Sequence, residues 1–321
     1  MMDSAENDGK ALPQDGEIQE KNPPLNPVIS LALCALLWSF GGLVIKLIKW
    51  DALAIAGVRS LLGTLVLTLA FKRPPKLFVR HESGRIDWRA TTNLLLGGLF
   101  YAATMLLFVP ATKLTTAANA ILLQYTNPIY IIILGPRLTG EKNDWIDYVA
   151  VAGILAGMVL LLSGSLGGGQ TAGNILALLS GLTYGLTTIF LRRAKDARPS
   201  DSLNLSCLLS FLFALPFMIK AGLPQSGSSY PALACLGIFQ IGIPAVLLSM
   251  GIEKVPALSS VIITMIEPMM NPVWVALFAG EVPSTSSVFG GLVILAFIVA
   301  HVALKSSRLH VQKKFVQFQK K

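Results

Sequence analysis

The chain has 321 residues, of which 53% are hydrophobic and only 13% are charged, with a net charge of +9 and a mean hydropathy of +0.64. Soluble domains carry roughly 25% charged residues, so this composition excludes a soluble globular protein and indicates an integral membrane protein. Its three cysteines, Cys34, Cys207 and Cys235, lie singly in apolar runs. We therefore expect neither a disulfide framework nor a thiolate metal site.

Residues 1–27 are polar and contain four prolines, a composition typical of a disordered tail. Ten apolar stretches follow, each about as long as the roughly 20 residues that a helix needs to cross a bilayer. We predict an all-α membrane protein with ten transmembrane helices and a basic tail at residues 305–321, and the prolines mark the fourth and ninth helices as broken. The predicted spans are 28–47, 52–71, 91–111, 115–136, 145–163, 171–191, 202–219, 230–251, 255–280 and 283–304.

The lysines and arginines are divided unequally between the loops on the two sides of these spans. With the N-terminus placed inside, 21 of the 26 basic residues fall on the inner side and four on the outer side, while Arg59 lies within a span. The positive-inside rule then predicts that both termini are cytoplasmic. Because the positive charge sits in short loops between apolar spans, we expect no nucleic-acid partner.

The fourth and ninth spans share a pattern. Pro128 aligns with Pro268, and Gly140 aligns with Gly280, each pair being 140 residues apart. Pro272 adds a second proline to the ninth span. Five spans in each half make the second half enter the membrane from the opposite side, so we predict two inverted five-helix repeats. Matching proline-interrupted segments in two such halves point to a transporter's substrate site near the bilayer midplane.

Several short motifs support this duplication and carry a resemblance to a known family. They are Trp38-Ser39, Arg59, the run from Thr112 through Tyr125-Thr126-Asn127-Pro128 to Gly140-Glu141, Tyr184, Ser259-Ser260, Glu267-Pro268 and Gly280-Glu281. On these residues the chain resembles the drug/metabolite transporter superfamily, with two tandem EamA-type domains at 28–163 and 171–304. The resemblance implies a ten-helix secondary carrier of amino acids, other metabolites or drugs, and it says little about which substrate is carried.

Few ionisable residues fall inside the spans, where a central charge costs at least about 2.5 kcal/mol. Glu267 lies near mid-membrane and is either a proton-coupling or substrate-cation site, or a structural carboxylate that accepts hydrogen bonds from helix ends freed by Pro268 or pairs with Arg59. For Arg59 we favour an ion pair or a carbonyl clamp over binding of a substrate carboxylate. We expect His301 to reach the membrane interface, and Glu141 and Glu281 to cap the helices that follow them.

Polar and aromatic side chains near the prolines are predicted to line the substrate cavity, because aromatic rings with a polar edge suit small amphipathic molecules. Glu267 and Arg59 would supply coupling or an ion pair there, and Pro128, Pro268 and Pro272 would act as hinges. The predicted cavity residues are Trp38, Ser39, Tyr101, Gln124, Tyr125, Asn127, Thr183, Tyr184, Gln240 and Thr264.

These observations predict a secondary transporter that exports small metabolites, amino acids first, across the cytoplasmic membrane by alternating access. The sequence has no phosphate-loop motif for ATP hydrolysis, and we expect no cofactor and no metal site. An intramembrane enzyme would need a catalytic pair at membrane depth, which the spans do not offer. A nucleotide-sugar or drug carrier of the same superfamily is the closer alternative. The expected partners are a small-molecule substrate, the lipid bilayer and protons as a candidate coupling ion, with the oligomeric state open between monomer and homodimer.

Overall fold

The computed structural model describes residues 25–80, 84–115, 117–163, 171–194, 198–279 and 285–319. Helices account for nearly all of these ranges. Extended pairing within them is limited to one antiparallel bridge between Arg80 and Ile86. The all-α class predicted from the sequence is therefore observed for the described part of the chain.

The first half of the chain begins most of its long helices with an aspartate or asparagine cap. The side chains of Asn26, Asp51, Asp87 and Asp144 each accept a backbone N–H from the first turn of the helix that follows, which satisfies a donor that has no partner inside the helix. The helices are α1 (Pro27–Trp38), α2 (Gly41–Leu47), α3 (Ala52–Phe71), α4 (Trp88–Leu114), α5 (Ala117–Gln124), α6 (Asn127–Thr139) and α7 (Trp145–Leu162).

The second half contains one feature that the sequence did not predict, a π-helical segment inside the eighth span. Here the N–H of Ile243 donates to the carbonyl of Ile238, five residues earlier. Pro244 has no N–H for the carbonyl of Gln240 and would crowd it in an α-helix, which favours the wider turn. The elements are α8 (Thr171–Arg193), α9 (Pro199–Ala221), α10 (Ser229–Cys235), the π segment (Leu236–Gly242), α11 (Ile243–Ile252), α12 (Ala257–Thr264), α13 (Ile266–Ala279) and α14 (Thr285–Gln319).

Seven helical stretches of the described residues are long and apolar enough to cross a bilayer. They correspond to the first, second, third, sixth, seventh, eighth and tenth predicted spans. The fifth and ninth predicted spans contain the shorter apolar helices Trp145–Leu161 and Ala257–Met270, and the fourth is divided between α5 and α6. The chain is thus a multi-pass helical membrane protein, and the count of ten spans stays a prediction.

Both broken spans are interrupted at the position that proline chemistry requires. The carbonyl of Gln124 would normally accept the N–H of residue 128, and that of Thr264 the N–H of residue 268, but both of these residues are prolines. Gln124 is the last residue of α5, and Thr264 is the last residue of α12. Each proline then stands in the first turn of the next helix, so it begins a new segment and does not kink a continuous one.

Two boundaries differ from the prediction. The first span is interrupted after Trp38, where Ser39 and Phe40 separate α1 from α2. The predicted tail at 305–321 is not a separate segment up to residue 319, because α14 continues through Gln319. The sequence after Lys305 contains no glycine or proline, so nothing in it favours a helix end at that point.

The two halves pack against each other over much of their length. The most extensive contacts between helices are α4 with α8, α14 with α7, and α3 with α9, and each of these pairs joins a helix of the first half to one of the second. The larger hydrophobic cluster likewise takes buried residues from both halves, Ile55 and Ile154 among the first and Ile262 and Ile294 among the second. The centre of the molecule is therefore an interface between the halves.

Gly181 on α8 allows the broken fourth span to lie very close. A Cβ atom at this position would lie 2.7 Å from the carbonyl oxygen of Gln124 and 2.9 Å from that of Leu123. These are backbone atoms at the end of α5 and cannot turn aside as a flexible side chain does. Small residues permit this kind of close helix approach in membranes.

We predict that Gly181→Ala destabilises the protein by about 1–3 kcal/mol, because the added methyl group forces the end of α5 away from α8. Unfolding of the purified protein in detergent measures this. Gly135→Ala on α6 is the matched control, since its new Cβ would lie 3.5 Å from Cγ2 of Ile131, an ordinary contact. Equal stability of the two variants would contradict the close approach at Gly181.

Candidate functional site

A cavity of about 50 Å³ lies between the two halves of the chain. This is room for a few water molecules, and an amino acid is larger. The lining comes from α1, α3, α4 and α5 of the first half and from α8, the π segment and α13 of the second. The lining residues are Trp38, Arg59, Tyr101, Thr104, Met105, Phe108, Gln124, Tyr184, Gln240, Ile241 and Glu267.

The structure brings five of the ten predicted cavity residues to this space, together with both predicted charged residues. It adds four residues that sequence reasoning missed: Thr104, Met105 and Phe108 of α4, and Ile241 of the π segment. The three α4 residues follow Tyr101 by three, four and seven positions, which places them on one face of the helix with Tyr101. Helical spacing from Tyr101 would therefore have predicted these α4 residues. The five predicted residues at the cavity are Trp38, Tyr101, Gln124, Tyr184 and Gln240.

Two aromatic rings, one from each half of the chain, meet at the cavity. The rings of Trp38 and Tyr184 are in edge-to-face contact, with centroids 6.0 Å apart and an interplanar angle of 78°. Both residues are nearly buried, at 6% exposure. Such pairs are worth about 0.5–1.5 kcal/mol beyond the area that they bury. The contact gives the cavity a rigid aromatic wall that the two halves share.

Arg59 places a positive charge beside the cavity. It is 2% exposed, and its Nη1 donates to Oε1 of Gln240 at 3.1 Å. Its Nε has no hydrogen-bond partner among the described residues. The ion pair, one of the two expected structural roles of Arg59, is therefore not formed, because the acceptor is the carbonyl oxygen of a neutral side-chain amide. A buried guanidinium with donors to spare is suited to binding a carboxylate or another anion.

The position of Gln240 depends on the interruption of the first span. A Cβ on Gly41, the first residue of α2, would lie 2.6 Å from Nε2 of Gln240. Only glycine, which has no Cβ, leaves room here for the end of the Gln240 side chain. Gln240 itself lies in the π segment, and π-bulges occur frequently at functional sites. Two irregular helices, one from each half, thus place the acceptor for Arg59.

Glu267 places the opposite charge at the same cavity. It is the second residue of α13 and is partly buried, and a carboxylate is favoured at a helix N-terminus. Its Oε2 accepts a hydrogen bond from the hydroxyl of Tyr125 at 2.5 Å. That hydroxyl also lies 3.2 Å from the carbonyl oxygen of Thr264. The ion pair between Glu267 and Arg59 is not formed, and the donor to Glu267 at the helix break is the side chain of Tyr125 and not a helix end.

The polar side chains of α5 and α8 are joined in a small network beside the cavity. Nε2 of Gln124 donates to the hydroxyl of Ser180 at 2.8 Å, and this hydroxyl donates in turn to the carbonyl oxygen of Thr104 at 3.3 Å. The hydroxyl groups of Thr104 and Thr183 are 2.9 Å apart. Thr183 therefore supports a lining residue and does not line the cavity itself.

The other predicted cavity residues also lie outside the lining. Ser39 accepts a hydrogen bond from Nε1 of Trp274 at 2.6 Å, which braces the break after α1 against α13. Thr264 is buried and offers its backbone carbonyl to Tyr125. Asn127 is fully buried, and neither its oxygen nor its nitrogen finds a hydrogen-bond partner within the described ranges. These residues form the surroundings of the site.

The predicted hinge prolines flank the cavity in the chain. Pro128 is the second residue of α6 and Pro268 the third of α13, while Pro272 lies inside α13. Pro128 and Pro268 thus sit directly after the two helix breaks. The Gly280-Glu281 pair that completed the sequence pattern lies outside the described residues.

The expectation that His301 reaches the membrane interface is wrong. The residue is 1% exposed, and its Nε2 lies 2.9 Å from Oδ1 of Asp147. Asp147 also accepts a hydrogen bond from Nζ of Lys305 at 2.8 Å. Sequence reasoning missed Asp147 because it lies in the first turn of α7, where a carboxylate is expected as a capping residue. This cluster joins α7 to α14 and does not line the cavity.

The expectation that Glu141 caps the helix after it is also wrong, because Asp144 is the N-cap of α7. Glu141 instead accepts a hydrogen bond from the N–H of Ala257, the first residue of α12, at 3.0 Å. Its other oxygen accepts Nε of Arg192 at 2.6 Å. The carboxylate therefore caps a helix of the opposite half and forms an ion pair with a third segment.

The cavity combines one carboxylate, one guanidinium and several aromatic rings. Such a set can hold a small molecule with charges of both signs and an apolar part. Within the described residues, no group of three or more His, Cys, Asp or Glu side chains is placed to hold a metal ion. The chemistry available at the cavity is therefore binding through charge, hydrogen bonds and aromatic contact.

Comparisons with known proteins identify relatives of this fold. Residues 25–163 and 171–302 match the EamA-like transporter family. An uncharacterised transporter of Archaeoglobus fulgidus is 26% identical over 272 residues, which cover 84% of this chain and 94% of the relative. A protein of known crystal structure superimposes with a TM-score of 0.68 over 88% of this chain and 98% of its own, at 20% identity. At that identity the likeness concerns the fold.

We predict that Gln240→Leu destabilises the protein by about 1.5–3 kcal/mol, because the buried Arg59 guanidinium loses its acceptor. Arg59→Met should cost much less in the Gln240→Leu background than in the wild-type protein, which a double-mutant cycle of unfolding free energies measures. Gln225→Leu makes the same chemical change at an exposed site and should be nearly neutral. Additive effects of the Arg59 and Gln240 substitutions would show that the two side chains do not interact.

Proposed function

Because this chain belongs to the EamA-like transporter family, within the drug/metabolite transporter superfamily, we propose that it is a secondary carrier that exports small metabolites, with amino acids as the first candidates. The carried molecule would occupy the space between Arg59 and Glu267. The observation behind this proposal is the pairing of one buried guanidinium and one carboxylate at a single cavity lined from both halves.

An amino acid matches the charged and aromatic groups that line this cavity. Its carboxylate would meet the unused donors of Arg59, and its ammonium group would approach Glu267. The aromatic wall of Trp38 and Tyr184 would hold an apolar side chain. Arg59 is the one cation among the described lining residues, which speaks against the alternative of a nucleotide-sugar carrier, since its substrate carries several phosphate charges.

The size of the cavity supports a carrier mechanism. A space of about 50 Å³ holds water but not an amino acid, so substrate binding requires the surrounding helices to separate. The breaks before Pro128 and Pro268 supply points at which α5, α6, α12 and α13 can change direction. We propose that the two halves rock about the cavity and open it alternately to each side.

Interactions at the two ends of the helix bundle would close the cavity in turn. At one end, the Arg192–Glu141 pair is extended by hydrogen bonds from Arg192 to the 252–253 carbonyl oxygens at 3.2 and 2.6 Å. At the other end, Nζ of Lys46 donates to the carbonyl oxygen of Thr115 at 2.8 Å. Each contact ties the end of a repeat's first span to the segment that precedes its broken helix. Transport would break these two closures one at a time.

The proposed arrangement in the membrane follows from the charge distribution. Ten spans would form two inverted repeats, residues 28–163 and 171–304, with residues 1–27 and the basic C-terminal end in the cytoplasm. The excess of Lys and Arg on that side supports this orientation. We place the carrier in the cytoplasmic membrane as a monomer or a homodimer. A drug carrier of the same family is the remaining alternative, and a broad ligand panel separates it from an amino-acid carrier.

We predict that at least one zwitterionic amino acid stabilises the purified protein and exchanges across proteoliposome membranes. A ligand present at 100 times its Kd adds about 2.7 kcal/mol of stability, so a thermal-shift screen precedes labelled counterflow. Arg59→Gln should abolish both signals, because it removes the charge that faces the ligand carboxylate. Lys76→Gln, at an exposed position, removes the same charge elsewhere and should retain both. If folded protein neither binds nor exchanges any member of the panel, the amino-acid proposal is wrong.

A further inference from the structure

The hydroxyl of Tyr125 lies between two acceptors that belong to the ninth span. It is 2.5 Å from Oε2 of Glu267 and 3.2 Å from the carbonyl oxygen of Thr264. A phenol has one proton to donate, so it serves one acceptor well at a time. Which acceptor receives it depends on whether the carboxyl group of Glu267 is ionised.

The Thr264 carbonyl lacks the hydrogen-bond donor that a continuous helix would supply. The donor that an α-helix would provide is the N–H of residue 268, and Pro268 has none. A buried carbonyl without a donor costs about 1–3 kcal/mol. Thr264 is the last residue of α12, so a change in the hydrogen bonding of its carbonyl is a change at the helix break.

We propose that Glu267 is the proton-binding site of this carrier and that Tyr125 transmits its protonation to the break in the ninth span. When Glu267 is ionised, the Tyr125 hydroxyl donates to the carboxylate. When a proton from the cavity water binds Oε2, the new O–H donates to the oxygen of Tyr125, and the Tyr125 hydroxyl turns to the carbonyl of Thr264. No other bond forms or breaks, and the proton leaves by the reverse exchange.

The two protonation states therefore differ in how the halves are joined. The protonated state has a continuous chain of hydrogen bonds from Glu267 through Tyr125 to Thr264, and members of such a chain strengthen one another. The ionised state leaves Thr264 without this donor. Tyr125 stands at the break of the fourth span and the other two flank the break of the ninth, so one proton changes the contact between both breaks.

The charged side chains near Glu267 form their bonds with other groups. Arg59, the cation on the cavity wall, bonds Gln240 and not the carboxylate. Asp147 on the neighbouring α7 bonds both His301 and Lys305 of α14. The remaining titratable groups near Glu267 are thiol and phenol side chains, contributed by α1, α4, the fourth-span break and α8. They are Cys34, Tyr101, Tyr125 and Tyr184.

The matching position in the first half supports a single proton site. Asn127 stands 140 residues before Glu267 in the sequence and carries an amide that does not titrate. A carrier with one proton site can exchange one proton for one substrate molecule. This inference rests on the proposed function for its coupling to transport, whereas proton binding by Glu267 can be measured without any substrate.

Infrared difference spectra of the purified full-length chain, recorded between acidic and alkaline pH, test proton binding directly. We expect the carbonyl stretch of a protonated carboxyl group in the wild-type protein and its loss in Glu267→Gln. Tyr125→Phe should keep this band but move it to higher wavenumber, because the acid loses its acceptor, and should remove the accompanying tyrosine band. Glu253→Gln, which alters a carboxyl group at the end of α11, should leave the Glu267 band in place.

A Glu267→Gln spectrum that keeps every carboxyl band of the wild-type protein overturns the proton site, and a Glu267 band that does not move in Tyr125→Phe overturns the role of Tyr125 as the positioning residue. Thermal unfolding of each variant shows that it is folded. If Glu267→Gln does not fold, Glu267→Asp replaces it, and the band should then move and not vanish. An unmoved band in Glu267→Asp contradicts the assignment equally.

Transport provides the second readout. With one proton exchanged per zwitterionic substrate and the membrane potential held at zero, a pH difference of about one unit supports about tenfold accumulation of an exchanged amino acid in vesicles that are acidic inside. Glu267→Gln should lose this accumulation, whereas Lys76→Gln, at an exposed position, should keep it. Retained accumulation overturns the coupling. If the wild-type chain transports no amino acid, the proposed function fails, and the infrared result still decides the proton site.

Discussion

The hydroxyl of Tyr125 is the contact on which the centre of this molecule depends, because it reaches from one helix break to the other. It bonds the Glu267 carboxylate at 2.5 Å and lies 3.2 Å from the Thr264 carbonyl. Tyr125 directly follows the last residue of α5, and Thr264 is the last residue of α12. One side chain thus connects the interruptions of both proline-containing spans across the interface of the two halves.

The need to satisfy backbone groups inside a bilayer explains why these breaks and the cavity coincide. Non-helical backbone at membrane depth is tolerated only where it is buried in protein or lines a water-filled space. The ends of α5 and α13 at the breaks carry Gln124 and Glu267, which both line the cavity. The close approach of Gly181 covers the end of α5 on its other side. The interruptions of the two spans therefore also supply the polar lining of the cavity.

Local chemistry made much of this predictable. Pro128 and Pro268 place the breaks, and the helical limits follow the apolar stretches closely. The missed features depend on long-range contacts. The first span breaks without a proline, where Ser39 meets Trp274 on a distant helix. His301 was expected at the interface, but its partner Asp147 lies 154 residues earlier in the chain. Only the packing of α7 on α14 reveals that pair. For the π segment, the sequence does contain a local signal, Pro244.

The central claim is that the cavity between the halves is where the carried molecule binds. Thiol labelling of Thr104→Cys, in a chain whose native cysteines are replaced, tests it most directly. Thr104 lines the cavity, so a transported amino acid at about ten times its Kd should slow labelling about tenfold by occupying the site. Labelling of Ser226→Cys, at an exposed position between α9 and α10, should not change. Equal labelling of Thr104→Cys with and without the amino acid would contradict the account.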